Sequence, residues 1–259
     1  MKFIDTHCHL YDEAYGGVEG QDEAIKKAIG AGVTMMIIPD TCSAERTPLL
    51  DLCSRWPEHT RACLGLHPTE LGNDWRKELE QLDEAVRKHP EIVAIGETGL
   101  DLHFGKESLP AQLEAFRRQL DIALEKNLPV IVHCRDASEQ CFSVLESYRG
   151  RGLKGVFHAF SGSIETFRRL EKYGDWYVGI GGVLTFKKAS IADTVVDIPL
   201  DRIVLETDSP YLTPTPYRGT RNDSSYIPLI AEFLATRKSL SVDTVADITT
   251  RNASTLFSL

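Results

Sequence analysis

Short apolar runs rich in β-branched residues alternate with longer amphipathic segments along the whole chain. Short apolar runs are typical of buried strands, and apolar residues three or four positions apart are typical of helices. The pattern predicts eight strands, at residues 3–7, 34–39, 60–67, 92–97, 130–134, 156–160, 176–180 and 203–207.

The segments between the strands carry apolar stripes at helical spacing. Two of these stripes are Trp75, Leu79, Leu82 and Val86, and Leu113, Phe116, Leu120 and Leu124. Pro110 suits the first turn of the second helix, where a proline costs no helical hydrogen bond. The tail at 226–259 predicts two last helices.

Eight strand-helix units in 259 residues predict a single domain spanning residues 1–259. Parallel neighbours need crossover helices, and eight such strands close a sheet, so we expect an α/β fold of the (β/α)8 TIM-barrel type. The alternative is an open doubly wound sheet. Its glycine-rich turn after the first strand is missing here, because that strand runs into histidines instead.

The composition of the chain limits the kinds of molecule that it is expected to bind. The net charge of -9 argues against a broad basic surface for duplex nucleic acid, although bound cations would offset part of it. The six cysteines form no Cys-x-x-Cys pair, no secretory leader precedes the first strand, and no apolar run approaches the roughly 20 residues of a membrane span. We therefore expect a cytoplasmic protein without a membrane segment or a stable protein partner.

Polar residues cluster at the predicted strand ends. In a barrel of this type the active site lies at the C-terminal ends of the strands. The residues found there are His7, His9, His67, Glu97, His133, His158 and Asp208. Only His59, His89 and His103 fall elsewhere among the histidines.

Imidazole and carboxylate groups gathered at one mouth predict a shared cation, because unpaired buried charge is unfavourable. All of these residues except His67 are assigned as metal ligands. Six ligands are too many for one tetrahedral zinc ion and suit two adjacent divalent ions with Glu97 as the bridge. One ion is assigned His7, His9, Glu97 and Asp208, and the other Glu97, His133 and His158. Mixed nitrogen and oxygen ligation would accept magnesium, manganese, iron or zinc. Asp5 and Glu206 are expected to orient ligands by hydrogen bonds.

Seven stretches in order along the chain resemble the TatD family of metal-dependent deoxyribonucleases. They are Asp-Thr-His-Cys-His-Leu at 5–10, Gly-Leu-His-Pro at 65–68, Ala-Ile-Gly-Glu-Thr-Gly-Leu-Asp at 94–101, His-Cys-Arg at 133–135, Val-Phe-His-Ala-Phe-Ser-Gly at 156–162, Glu-Thr-Asp-Ser-Pro-Tyr at 206–211 and Arg-Gly-Thr-Arg-Asn at 218–222. The resemblance implies a barrel with two divalent metals on the six ligands above. It also implies phosphodiester hydrolysis, with 3'-to-5' exonuclease action on DNA in some members.

The chain departs from the family pattern around the expected substrate groove. Tyr11 stands where Asp or Asn is frequent, Thr69 where a second histidine is common, and Asp223-Ser224 where Glu-Pro is frequent. None of these positions is a proposed ligand. They leave the substrate preference open.

Roles in hydrolysis follow from residue chemistry. Asp208 is the candidate general base, with a plain ligand role as the alternative, and His67 is expected to contact phosphate or stabilise the leaving oxygen. Arg135 is the candidate phosphate clamp, because its planar fork suits phosphate oxygens. The remaining candidate DNA contacts are Tyr211, Arg218 and Arg221.

Two other functions compete with a nuclease. One is an amidohydrolase acting on a cyclic amide or ester, since the wider superfamily shares the His-x-His pair and the last-strand Asp. Many of those enzymes bridge their metals with a carboxylated lysine, where this chain offers Glu97. The other is a metal-dependent binding protein without activity, against which the full ligand set argues.

Overall fold

The computed structural model describes all residues, 1–259. Eight parallel strands run in the order β1 to β8 around one sheet. Their bounds are β1 Phe3–Asp5, β2 Val33–Pro39, β3 Thr60–Leu64, β4 Ala94–Asp101, β5 Val130–Arg135, β6 Lys154–Phe157, β7 Asp175–Ile180 and β8 Ile203–Leu205. The predicted (β/α)8 TIM barrel is confirmed.

Nine helices accompany the strands, together with six short 3-10 turns. They are α1 Val18–Gly30, α2 Ser43–Arg55, α3 Trp75–Lys88, α4 Leu109–Lys126, α5 Ser138–Glu146, α6 Ile164–Leu170, α7 Ile191–Thr194, α8 Ile227–Lys238 and α9 Val242–Phe257. Pro110 lies in the first turn of α4, as predicted, and Asn127 ends that helix in a left-handed conformation. The predicted stripe of α3 is buried throughout.

The barrel closes between β8 and the segment after β1. The backbone N–H of Thr6 donates to Leu205 O at 3.0 Å, and Asp208 N donates to His7 O at 2.9 Å. Cys8 and Ser209 then form an isolated parallel bridge. This seam places the segments that carry His7, His9 and Asp208 side by side.

The strand ends differ from the predicted bounds by a few residues. His7 and His67 follow their strands instead of ending them, and Glu97 lies in the middle of β4, which continues to Asp101. Gly99 allows this longer strand to pass close to β5, since a Cβ there would meet His133 O at 2.0 Å. Asp101 is consequently the polar residue that ends β4.

Apolar side chains fill the space between the sheet and the helices, and a smaller cluster fills the barrel interior. Leu256 and Phe257 of α9 join that interior cluster, which leaves the opposite end of the barrel to the polar residues. No helix has both the length and the apolar character that crossing a membrane requires.

Two buried glutamines of α4 hold backbone segments in place at the polar end of the barrel. The side chain of Gln119 accepts from Leu66 N and donates to Leu66 O, one residue before His67. Gln112 makes the same pair of bonds with Asp101. Seven positions separate the two glutamines, so both lie on the helix face that meets the sheet.

Candidate metal centre

Glu97 lies at the centre of the polar cluster, and its two carboxylate oxygens face different groups of histidines. Oε2 lies 3.2 Å from His7 Nε2 and 3.6 Å from His9 Nε2. Oε1 lies 2.8 Å from His158 Nε2 and 3.1 Å from His133 Nδ1. A carboxylate shared in this way divides the cluster into two ligand groups.

The first group is His7, His9, Glu97 and Asp208. His7 Nε2 and His9 Nε2 lie 3.1 Å apart, and Asp208 Oδ1 lies 3.5 Å from the former and 3.6 Å from the latter. Ligand atoms about 2.0–2.2 Å from one ion at tetrahedral angles stand about 3.3–3.6 Å from each other. The donor atoms therefore have the spacing that one divalent ion requires.

The second group is Glu97, His133 and His158. His133 Nδ1 lies 3.3 Å from His158 Nε2, and both nitrogens face Glu97 Oε1. The donors are again imidazole nitrogen and carboxylate oxygen, without a thiolate. The structure thus brings all six proposed ligands together in one cluster. The sets whose donor atoms lie close enough for one ion are His7, His9 and Asp208; His7, Glu97 and His158; and His67, Glu97 and His133. The division into two metal positions stays a proposal.

His67 also reaches this second group. Its Nε2 lies 3.3 Å from Glu97 Oε1, while its Nδ1 accepts a hydrogen bond from the backbone N–H of Thr69 at 3.2 Å. A ring whose Nδ1 accepts is neutral and carries its proton on Nε2. With that bond His67 presents an N–H donor to the site, although its ring also belongs to a cluster with Glu97 and His133 that could hold a cation.

Two members of the first group, Glu97 and His7, have charge states that suit a metal, whereas at His9 burial is outweighed by Asp208 and Glu97, which raise its pKa. Burial raises the pKa of Glu97, but the neighbouring His158, His67 and His7 outweigh it and hold that pKa well below the ordinary value. Burial, reinforced by His158, lowers the pKa of His7 to about 4. At neutral pH Glu97 is ionised and His7 is neutral, which are the forms that ligate cations.

Asp101 fixes the orientation of His133. Its Oδ2 lies 3.0 Å from His133 Nε2, and its Oδ1 accepts from the backbone N–H groups of His103 and Phe104 at 2.8 Å. Burial raises the pKa of Asp101, but the bond from His133 and those backbone bonds bring it down to about 2. An ionised Asp101 keeps the proton on His133 Nε2 and leaves Nδ1 free for a metal.

Tyr11 contacts His9 in the corresponding way. Its hydroxyl lies 3.0 Å from His9 Nδ1 and donates towards Pro39 O at 3.0 Å and Glu45 Oε2 at 2.9 Å. The backbone N–H and the hydroxyl of Thr41 also donate to that Glu45 oxygen. The position that departs from the family pattern therefore contacts a proposed ligand, and it also lines a 480 Å³ cavity beside the cluster.

The sequence pointed to neither Asp101 nor Tyr11 as part of the centre. Asp101 stands four residues after Glu97 in one strand, so the two share a face, and Tyr11 stands two residues after His9. In both cases the signal in the sequence was that the residue lies an even number of positions after a proposed ligand.

Asp5 and Glu206 bind backbone next to the ligands. Asp5 accepts from His7 N at 3.3 Å and from Thr207 N at 3.0 Å, and so ties the two sides of the barrel seam. Glu206 accepts from Ala159 N at 2.5 Å, directly after His158. Burial raises the pKa of Asp5 to about 7 and that of Glu206 to about 8.

Two cavities adjoin the cluster, and both are bordered by His133, His158 and Asp208. One, of about 690 Å³, has an aromatic and aliphatic wall and includes His133, His158 and Asp208. The other, of about 480 Å³, is lined by carboxylates that include Asp12 and Glu70. Arg135 and Tyr211 border both cavities.

The predicted substrate residues divide into two sets. The Arg135 guanidinium stacks at 4.7 Å over the exposed ring of Phe104, and the Tyr211 hydroxyl donates to Asp12. Both lie at the mouth. Arg218 stacks on Phe186, and Arg221 stacks on Tyr15 and donates to Ala14 O; neither lines the two cavities. Phe104 is a mouth residue that the sequence did not single out.

A barrel with histidine and carboxylate ligands at the C-terminal strand ends defines the class of metal-dependent hydrolases. Comparison with known proteins agrees: the model of the family described as TatD related DNase matches residues 4–258. The chain belongs to the TatD family.

Relatives cover nearly the whole chain. The uncharacterized metal-dependent hydrolase YabD of Bacillus subtilis is 36% identical over 98% of both chains. The 3'-5' ssDNA/RNA exonuclease TatD of Salmonella typhimurium is 32% identical over 92% of both. The crystal structure of YjjV, a TatD homologue of Escherichia coli, is similar with a TM-score of 0.91 at 31% identity, covering 99% of this chain and 98% of that one.

Proposed function

We propose that this protein is a phosphodiesterase that removes nucleotides from the 3' end of single-stranded DNA with two divalent ions. The proposal rests mainly on the position of Glu97, because its two carboxylate oxygens face two separate groups of proposed ligands. The name of the Salmonella relative, 32% identical to this chain, supports the choice of substrate.

The ligand groups described above would hold the ions, with Glu97 common to both. Magnesium, manganese and zinc all suit nitrogen and carboxylate donors. When bound, such ions supply Lewis acidity towards phosphate and lower the pKa of water.

The chain's own residues supply the rest of the chemistry. Burial raises the pKa of Asp208, but the bond from His9 and the neighbouring imidazoles keep it below the ordinary value, so an ionised carboxylate faces the site. This carboxylate takes the proton of the attacking water. His67 Nε2–H donates to a phosphate oxygen or to the leaving oxygen, and Arg135 at the mouth clamps the neighbouring phosphate.

A defined oligonucleotide tests the proposal. With manganese or magnesium, a single-stranded DNA labelled at its 5' end is expected to shorten one nucleotide at a time. His158→Ala should abolish shortening, whereas His89→Ala, which changes a half-buried histidine paired with Glu91 away from the mouth, should not.

The competing functions give different results in the same preparation. Turnover of a dihydropyrimidine-type amide without DNA cleavage would identify an amidohydrolase. Inactivity on both substrates would identify a binding protein. Internal fragments instead of a ladder would change the assignment from exonuclease to endonuclease.

A further inference from the structure

We propose that the 690 Å³ cavity beside the ligand cluster is a subsite for the unpaired base of the 3'-terminal nucleotide. It is called the base cavity below, and its wall comprises Phe142, Phe157, Phe160, Leu170, Val183 and Leu212. The inference rests on the proposed function, because it places the base of the nucleotide that the enzyme would release.

The base cavity is continuous with the centre. His133, His158 and Asp208 form one end of it, and each of them belongs to a cluster that could hold a cation. A group held in the cavity therefore lies directly beside the position where the phosphate would react. The volume falls within the roughly 300–1,000 Å³ of small-molecule sites.

The chemistry of the wall selects an uncharged, planar occupant. Apart from the three residues at the metal end, only Arg135 and Asp136 carry charge, and both are exposed at the rim. Placing a phosphate among the phenylalanine rings would remove a charge from water without a partner. A nucleobase has a neutral aromatic face that stacks on such rings, and the Ser161 and Thr166 hydroxyls offer polar contacts to its edge.

The second cavity, of about 480 Å³, does not suit a base. It contains the proposed ligands His9 and Glu97, and the rest of its lining includes the carboxylates Asp12, Glu45, Glu70 and Asp101 but no leucine, isoleucine or valine, so it lacks the apolar wall on which a base would stack. The remaining strand must then leave over the rim between the two cavities. Arg135 borders both cavities and stacks on the exposed Phe104 ring, which lines the 480 Å³ cavity. A cation and an aromatic face side by side suit a single strand.

A base inside the cavity cannot remain paired in a duplex, so the terminal nucleotide must be unstacked first. The subsite thereby predicts that single-stranded or frayed ends react and that a blunt, paired end does not.

Filling the cavity tests the subsite. Ser161 is an exposed loop residue of the wall, so Ser161→Phe places a ring in the base cavity with little effect on folding. Ser143→Phe is the matched control, because Ser143 is exposed on α5 and does not line the cavity. Each variant is assayed on two single strands that differ only at the 3' end, one with thymidine and one with an abasic tetrahydrofuran residue.

For the unmodified protein and for Ser143→Phe, kcat/KM on the thymidine end should exceed that on the abasic end by about 5- to 150-fold, the equivalent of stacking one base. Ser161→Phe should lower the thymidine rate to the abasic level and leave the abasic rate unchanged. Two results would overturn the subsite. One is an equal kcat/KM for the two strands in the unmodified protein, and the other is a decrease of kcat/KM by the same factor for both strands in Ser161→Phe.

A binding measurement separates this subsite from the proposed function. Titration calorimetry on the manganese-loaded protein compares thymidine 5'-monophosphate with deoxyribose 5-phosphate. Tighter binding of the nucleotide that Ser161→Phe abolishes supports the subsite even if no DNA is cleaved, in which case the proposed function alone fails. Equal binding of the two compounds refutes the subsite whether or not DNA is cleaved.

Discussion

His133 Nε2 lies 3.0 Å from Asp101 Oδ2, and this contact turns the other ring nitrogen towards Glu97. The pair joins two neighbouring strands, since Asp101 ends β4 and His133 belongs to β5. A buried carboxylate that accepts from a ligand histidine sets its tautomer and strengthens it as a donor to metal. We therefore propose that Asp101 supports the metal centre without being a ligand.

Asp101→Asn should weaken metal binding by about 10- to 100-fold at the position that His133 serves. The Asn oxygen would keep the bonds to His103 N and Phe104 N, so its NH2 group would face the N–H of His133, donor against donor. Competition with a fluorescent chelator measures the affinity of each site. Asp136→Asn is the control, because Asp136 pairs only with the exposed His103; equal affinities in both variants would contradict the role.

Tyr11→Phe should weaken the other position by a similar factor, about 10- to 100-fold. The change removes the hydroxyl that lies between His9 Nδ1 and Glu45 and leaves the ring in place. Tyr211→Phe removes a comparable hydroxyl whose partner is Asp12 and should leave the metal affinity unchanged. If Tyr11→Phe binds both ions like the unmodified protein, the hydroxyl does not support the ligand.

Arg135→Ala should raise KM for a single-stranded oligonucleotide by about 10-fold or more, because a hydrogen-bonded charge pair contributes about 1.5–3 kcal/mol. The slope of log affinity against log salt should fall by about 1. Arg151→Ala is the matched control: Arg151 also stacks on an aromatic ring at 4.7 Å, that of Tyr148, away from the mouth. An unchanged KM and salt slope in Arg135→Ala would exclude the clamp.

The barrel, and the gathering of the proposed ligands at one mouth, could be predicted because both depend on local patterns. Alternating strands and helices define the closed parallel sheet, and a polar residue near the end of such a strand must face the mouth. His7, His158 and Asp208 are of this kind. The predicted strand ends were wrong by several residues, but the predicted cluster did not depend on them, because the loops directly after the strands lie at the same mouth of the barrel.

Contacts between loops could not be predicted in the same way. The stacking of Arg135 on Phe104 joins the segments after β5 and β4, and the bond from Tyr11 to Glu45 joins the segment after β1 to α2. These contacts depend on the paths of irregular segments, which have no period in the sequence. The division of the mouth into an apolar and an acidic cavity follows from the same paths.

The central claim is that Glu97 holds two ions at once, and counting metals in the purified protein tests it most directly. After equilibration with manganese and removal of free metal, elemental analysis of the folded protein should find two ions per chain. Glu70→Ala, which removes a carboxylate of the acidic cavity outside both ligand groups, should also hold two. Glu97→Ala should hold none. Two ions retained by Glu97→Ala, or a single ion in the unmodified protein, would contradict the bridge.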